Sequence, residues 1–514
     1  MKDIEGWVEK IKIFLDSSAY VFGYGAGKYG QILAWLARRK GLFLSGFLVS
    51  EGKDHPDSIY GYPVMQVSNI RNLKEVTIIL AVDDRLRTEI RMSLLDSSYR
   101  ILEFPNSFFD KISHYKEFYE TLKMAEPFLD SWQHESTGAK MRVLFFAHGS
   151  ELLGANRSLF RNLLYWQELG VEPLVITPNV GCLNKSLMKH GIPSISIHFS
   201  WWVKKDSDSQ NYDNSRVEEK LRMVLQRYHF ELVYSNSSVI DIGAHIAEKL
   251  NLPHIWHIRE FVEEDYGWHF LLSRKDALEY ILAKSNTVIC ISKALMHKCE
   301  EVVQRKDVFC LIPNGVDLNL EIGSKDCEFY RDVLRIVMCG SIHESKNQKE
   351  LLMAMSLLPK EVLQHYVVDF YGPQDMEYQN KLNEYIKCHD LGDKLHFHGY
   401  IENVSECLCA CQIGVMASRM EAFGRVTVEY MLSGLLTIAS DTGANPELLR
   451  NGKDGLLYES GNPESLAKCL IWCEKNRSKM QEMANRAQLE ARERFSSEKT
   501  AYSIYDIMKK ALKE

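Results

Sequence analysis

Residues 413–418 read IGVMAS, and residues 417–434 continue as ASRMEAFGRVTVEYMLSG. The first run is short, apolar and free of charge, as in a strand covered on both faces. A polar loop follows, Phe423–Gly424 break it, and an apolar helix begins. This strand–loop–helix unit places Glu421 just before the helix and Glu429 within it. The first N–H groups of such a helix lack partners and carry a partial positive charge, so the loop suits an anion.

The same rhythm extends in both directions. RIVMCGS (335–341), VVDFYGP (367–373), LHFHGY (395–400) and LTIASD (436–441) read as strands around the first one. Upstream, MRVLFFAHG (141–149) opens a series continued by PLVITP, ISIHF, ELVYSNSS, HIWHIRE and TVICIS. A third series, AYVFGYG, LFLSGFLVS, VTIILAV and YRILEF, lies within residues 19–104. Strands alternating with helices predict parallel sheets. The expected class is therefore α/β. Two Rossmann-like domains, 141–315 and 316–490, follow an additional Rossmann-like domain at 1–110. A partly helical linker is expected at 111–140 and a C-terminal helix at 491–514. The paired domains face each other across a cleft at the carboxyl ends of their strands, where open α/β folds bind ligands.

Composition narrows the function. The chain has 514 residues, 46% hydrophobic and 25% charged, with a net charge of −7. That balance speaks against a nucleic-acid partner, which draws a basic surface. The N-terminus lacks the apolar core of a signal peptide, and no run of about 18 apolar residues could span a bilayer. The expected location is the cytoplasm, with peripheral contact at the inner membrane face left open. Cys290, Cys310 and Cys339 sit in apolar runs, and CLCAC (407–411) reads as small buried hydrophobes, not a metal cluster. Asp206-x-Asp208 lies in the polar run KKDSDSQNYDN, a solvated loop, so no catalytic metal is expected.

Could Glu421 and Glu429 be a glycosidase pair? Eight residues of helix span roughly 12 Å, whereas carboxylates flanking one glycosidic bond stand about 5–9.5 Å apart. The spacing better suits gripping the two ends of an extended ligand, each carboxylate accepting a pair of hydroxyls. A nucleotide sugar has that shape: a ribose diol, a diphosphate and a sugar.

At this point the stretch resembles the E-x7-E signature of the family 4 retaining glycosyltransferases of the GT-B fold. The resemblance implies that Glu421 contacts donor-sugar hydroxyls and Glu429 the ribose. It also implies that the amides of Phe423, Gly424, Arg425 and Val426 lie near sugar and phosphate. GSIHESKNQKELLMA (340–354) resembles the segment whose Arg and Lys neutralise the diphosphate. Lys346 takes the Lys position, but Ser341 stands where Arg is usual, so either Arg425 or His343 supplies the second charge or the leaving group is held less strongly. Gly154 and Ala155 resemble the small-residue loop that approaches the diphosphate. HIWHIRE resembles the strand end carrying a histidine near the transferred sugar, which assigns that role to His257, with Arg259 and Glu260 toward the acceptor. IPNGVD (312–317) resembles the interdomain junction, and HFHGYI, with Tyr400, the turn beside the base. Glu447 reads as structural. The implied reaction is metal-independent transfer of a sugar from a nucleotide sugar, UDP-linked by preference, with retention and without a cofactor. A glycan or lipid-linked glycan of a surface polysaccharide is the expected acceptor. Trp201 and Trp202, beside two lysines, suit either a glycan or lipid surface or a buried pair.

In the first domain, Gly25-x-Gly27-x-x-Gly30 follows a strand and opens a helix, and Glu51 ends the next strand. This pattern binds a nucleotide or merely packs a turn. Its layout resembles the N-terminal domain of PglD-type sugar acyltransferases, which implies a second nucleotide or nucleotide sugar there. Two rival readings stay open: a non-catalytic GT-B partner or chaperone, and an NAD-dependent oxidoreductase centred on residues 1–110.

Overall fold

The computed structural model describes residues 8–513 except 10, 14, 16–17, 95–98, 135–139, 206–211, 318–328, 330 and 402–403. Asp206 and Asp208 lie outside the described residues. Two compact units are formed, one by Met1–Pro127 with Ile195–His198, the other by Phe128–Ser194 with Phe199–Glu514.

In the first unit, five strands pair in parallel in the order Tyr62–Gln66, Gly46–Val49, Tyr20–Tyr24, Val76–Leu80, Arg100–Glu103. Strand order reverses at Tyr20–Tyr24, the point where open sheets leave a crevice. Gly25 follows it at φ +110°, its N–H donating to Leu48 O at 2.8 Å. A Cβ on Gly30 would strike Gly25 O. Both glycines are thus required for the helix Lys28–Lys40 to pack on the strand, whether or not a ligand binds. Gly27 borders open space. Glu51 is exposed, and its carboxylate accepts from Ser68 N at 2.7 Å, which holds its pKa below the ordinary value. The stretch expected as a linker is helical as far as His134, within the helix Asn106–His134.

The second unit contains two parallel sheets. In one, strands run in the order Cys310–Leu311, Thr287–Cys290, His254–Ile258, Leu232–Ser235, Met141–Phe146, Val171–Thr177. In the other the order is Leu395–Phe397, Tyr366–Tyr371, Leu334–Cys339, Ile413–Met416, Leu436–Ser440, Leu456–Tyr458. Most of these strand residues are buried, as sheets covered by helices on both faces require. In the second sheet the order is that of a doubly wound dinucleotide fold, reversing between Leu334–Cys339 and Ile413–Met416. The loops leaving those two strands carry Lys346 and Glu421. Cys339, Cys407 and Cys411 pack with Val337, Leu408, Tyr430 and Leu435 as apolar filler.

Two devices tie the halves of this unit together. The last helix, Ser497–Ala511, returns to the first sheet's layer: Trp166 donates to Ala501 O at 2.8 Å and Tyr505 to Leu169 O at 3.1 Å. At the junction, a Cβ on Gly315 would overlap the backbone of Ser497, so the glycine serves close crossing of two chain segments. Separately, the Glu447 carboxylate accepts from the amides of Lys293 (2.8 Å) and Ala294 (2.5 Å) at the start of helix Lys293–Val303. Ser292 caps the next free amide, from Leu295, at 3.1 Å. Glu447 therefore acts as a helix cap supplied from the opposite half. Glu447→Ala is expected to cost about 1–2 kcal/mol, the range for lost N-caps and helix-dipole partners, measurable as a lower urea midpoint with an unchanged m-value.

Candidate active site in the cleft

Between the two sheets of the second unit lies a cavity of about 480 Å³, within the roughly 300–1,000 Å³ usual for ligand sites. One wall is built by loops that leave strand ends. Gly340, Ser341, Ser345 and Lys346 come from one, and Met420 to Val426 from the next. Gly424, at φ +83°, starts the helix Arg425–Leu432, and no side chain caps its first amides. Glu421 and Glu429 both line the cavity.

Glu421 accepts from Ser418 Oγ at 2.7 Å and pairs with Lys346 Nζ. Burial draws the Lys346 ammonium toward neutrality, but Glu421 and Tyr266 more than offset it, and its pKa stands above the ordinary value. Glu429 is buried, accepts from Arg425 Nε at 3.0 Å and has Arg157 at 4.0 Å. Arg425 also reaches Ser158 Oγ (3.3 Å) and Gly315 O (3.4 Å). Burial lowers the Arg425 pKa, with Glu429 working against it.

Gly154, Ala155, Arg157 and Ser158 line the opposite wall at the start of helix Gly154–Glu168. Thus Arg157 and Arg425 stand in the cavity, as does Arg259, where Ser341 brings no charge. His343 does not line it; its ring accepts from Ser345 N at 3.2 Å and caps the short turn before Lys346. Arg157 belongs to no motif in the sequence, where the small residues Gly154 and Ala155 precede it. Its place on the first helical turn after Gly154 was the available signal. Tyr400, 56% exposed, lines the cavity's outer edge.

His257 is not among the lining residues. It is fully buried inside strand His254–Ile258, with Nδ1 against Tyr234 OH and 3.2 Å from Arg259. Its Nε2 has no partner, and burial, aided by Arg259, holds its pKa well below the ordinary value. His257 thus stands apart from the cavity that gathers the other residues named for this strand end. The strand runs to Ile258, and the next two residues are those that emerge at its carboxyl end. Arg259 lines the cavity while bonding Asn236 (2.8 Å) and Asn314 of the junction (2.6 Å). Glu260 lines it while accepting from Ser238 N at 2.9 Å and from Ser237 Oγ, and burial raises its pKa.

Beyond them, Asp265, Tyr266 and Trp268 complete the wall with His148 and Trp201. Burial, then the charges of Glu260 and Glu421, push the Asp265 pKa up to about 7, against a backbone bond from Phe261 that lowers it. His148 is driven down to about 4 by burial and by Arg259. Trp202 belongs to the core, stacked 5.8 Å from Trp256, so the tryptophan pair divides between core and cleft. Among the described residues no group of His, Cys, Asp or Glu is arranged to hold a metal ion, and no helix is long and apolar enough to cross a membrane.

The doubly wound pair and its cleft define a GT-B architecture. Residues 153–320 match the model for Glycosyltransferase Family 4, and residues 324–490 that for Glycosyl transferases group 1. Together with the fold, these matches place the chain among the GT-B glycosyltransferases. The solved structure of Anabaena Alr3699/HepE in complex with UDP and glucose superposes with a TM-score of 0.61 at 21% identity, over 72% of this chain and all of that one. The N-acetyl-alpha-D-glucosaminyl L-malate synthase of Bacillus anthracis is 23% identical over 46% of this chain and 64% of its own length. The GPI3 subunit of the phosphatidylinositol N-acetylglucosaminyltransferase of Saccharomyces cerevisiae is 27% identical over 45% of this chain and 52% of its own. The matched region thus spans between half and two thirds of these curated relatives.

Proposed function

We propose that the protein transfers a sugar from a UDP-sugar to a glycan or lipid-linked glycan acceptor, with retention of anomeric configuration and without a metal. The observation that carries this reading is the pairing of Glu421 and Glu429 in one cavity, on either side of the uncapped amides of Phe423 to Val426. Glu421 would take the sugar hydroxyls and Glu429 the ribose diol. Lys346, Arg425 and Arg157 would neutralise the diphosphate as the bond to the anomeric carbon breaks. That bond's electron pair goes to the phosphate. The acceptor oxygen bonds the same face of the carbon, and its proton passes to the leaving phosphate oxygen. Arg157 and Arg425 compensate for Ser341. The likeness to HepE, solved with UDP and glucose, favours UDP among the nucleotides.

Thermal-shift screening against UDP-, GDP- and ADP-sugars tests the donor. The true donor at a hundredfold excess over Kd should add about 2.7 kcal/mol of stability. Glu429→Gln should weaken UDP binding about 10- to 100-fold, as expected for hydrogen bonds to a charged group worth about 1.5–3 kcal/mol. Proton NMR of the product would show an inverted anomeric centre if retention is wrong. A protein that binds UDP-sugar yet neither hydrolyses nor transfers it would instead be a non-catalytic partner.

A further inference from the structure

The cleft wall contributed by the first sheet has features that the donor-site reading does not use. Trp268 lies 5.0 Å from Tyr266, nearly parallel at 21°, and 5.1 Å from Trp201, edge-on at 61°. Trp201 is fixed by its Nε1–H, which donates to His148 O at 2.9 Å. Three ring systems therefore form one continuous surface, and Tyr266 leaves 49% of its area uncovered.

The loop that presents this surface is held in a costly shape. Val262 sits at φ +75°, ψ −61°, a tight turn that a β-branched residue adopts at about 1–3 kcal/mol of strain. Trp268 N–H closes the loop onto Val262 O at 3.1 Å. Within it, Asp265 Oδ2 accepts from Phe261 N at 2.9 Å, while Oδ1 is buried with no partner. An exposed aromatic shelf and an orphaned carboxylate oxygen in one cavity are each unfavourable in the empty protein. A ligand with an apolar C–H face and outward hydroxyls relieves both. Such a ligand is a pyranose ring, whose C–H face suits an aromatic surface and whose hydroxyls donate to carboxylates. A phosphate headgroup would instead meet the carboxylates of Asp265 and Glu260.

We propose that Trp201, Tyr266, Trp268 and Asp265 form the acceptor subsite, and that the acceptor presents a pyranose unit stacked on the aromatic surface with a ring hydroxyl donated to Asp265 Oδ1. This rests on the glycosyltransferase reading and adds the residues that hold the acceptor and the part of it they hold. The pyranose belongs either to a free glycan or to one carried on a lipid.

The test uses the full chain with UDP bound. Saturation-transfer NMR is recorded with cellobiose, chitobiose and lactose. Flotation is measured with phosphatidylglycerol vesicles, plain or doped with a glucosyl lipid. At least one disaccharide should give its strongest signals at ring C–H protons, or the doped vesicles alone should capture the protein. The first outcome identifies a free glycan as sufficient, the second a lipid-linked one. Trp268→Ala and Asp265→Ala should each weaken that binding about tenfold or more, with UDP affinity within about twofold of wild type as proof of an intact fold. Trp268→Phe, which keeps a ring, should restore part of it. The proposal is overturned by equal capture on plain vesicles, by no pyranose binding of any kind, or by binding indifferent to both alanine variants. Failure of the wild type to bind UDP would instead sink the donor-site reading.

Discussion

Glu421→Gln is expected to lower sugar transfer by roughly 10²–10⁴-fold, with a melting temperature close to that of the parent. Two hydroxyl bonds to a carboxylate, at about 1.5–3 kcal/mol each, set that range. The substitution keeps size and shape, so the Ser418 hydroxyl still has an oxygen to bond. What it removes is charge. Lys346 then loses its ion-pair partner, and the ammonium that should meet the diphosphate becomes free to turn elsewhere. Because both effects act on the bound donor, kcat should fall more than UDP affinity does. Steady-state rates with the donor found by screening, beside UDP titration, separate these quantities. A variant that retains more than about half of the parental kcat would remove Glu421 from the chemistry.

The wall that carries Glu421 and Lys346 was legible in the sequence because its parts are local. One strand, one loop and one helix carry Glu421, Gly424 and Glu429 within a dozen residues, and the loop geometry follows from that order. Lys346 was legible for the same reason, as part of a second strand–loop unit. The opposite wall was legible only in part, through Gly154, Ala155, Trp201, Arg259 and Glu260. Arg157, Trp201, Asp265 and Trp268 come from three separated segments, and only the folded first sheet brings them to one cavity. Asp265 carries no motif; its significance lies in one buried oxygen without a partner, a property that exists only after folding. His257 shows how sharply boundaries matter. The strand ends at Ile258, and a difference of two residues separates a core histidine from Arg259, which lines the cavity. Glu447 reads as structural from the sequence, but its partners, the amides of Lys293 and Ala294, lie in the other half of the cleft, 154 and 153 residues away in the chain, where no local pattern points to them.

Gly372→Ala should be the most damaging single methyl group in the donor half. Gly372 follows strand Tyr366–Tyr371 at φ +152°, a conformation that side chains rarely adopt. A Cβ there would fall on Gly340 O and lie 3.1 Å from Ser341 N, so it meets backbone that has no rotamer to escape into. The two loops are stitched together at this point. Gly340 N–H donates to Tyr371 O at 2.9 Å, and Ile342 N–H to Pro373 O at 2.8 Å. Strain at the residue costs about 1–3 kcal/mol, and overpacking of the contact about as much again. The expected loss is therefore about 2–6 kcal/mol. In a domain of this size each kcal/mol lowers the midpoint by roughly 2–4 °C. The loop that must move carries Ser341 and leads to Lys346, so donor binding should fail together with stability. Gly392→Ala supplies the control, since a Cβ there has nothing within 4 Å, and its effect should stay within about 0.5 kcal/mol. If Gly372→Ala melted and bound UDP as the control does, the close approach of the two strand-end loops would not be what shapes the site.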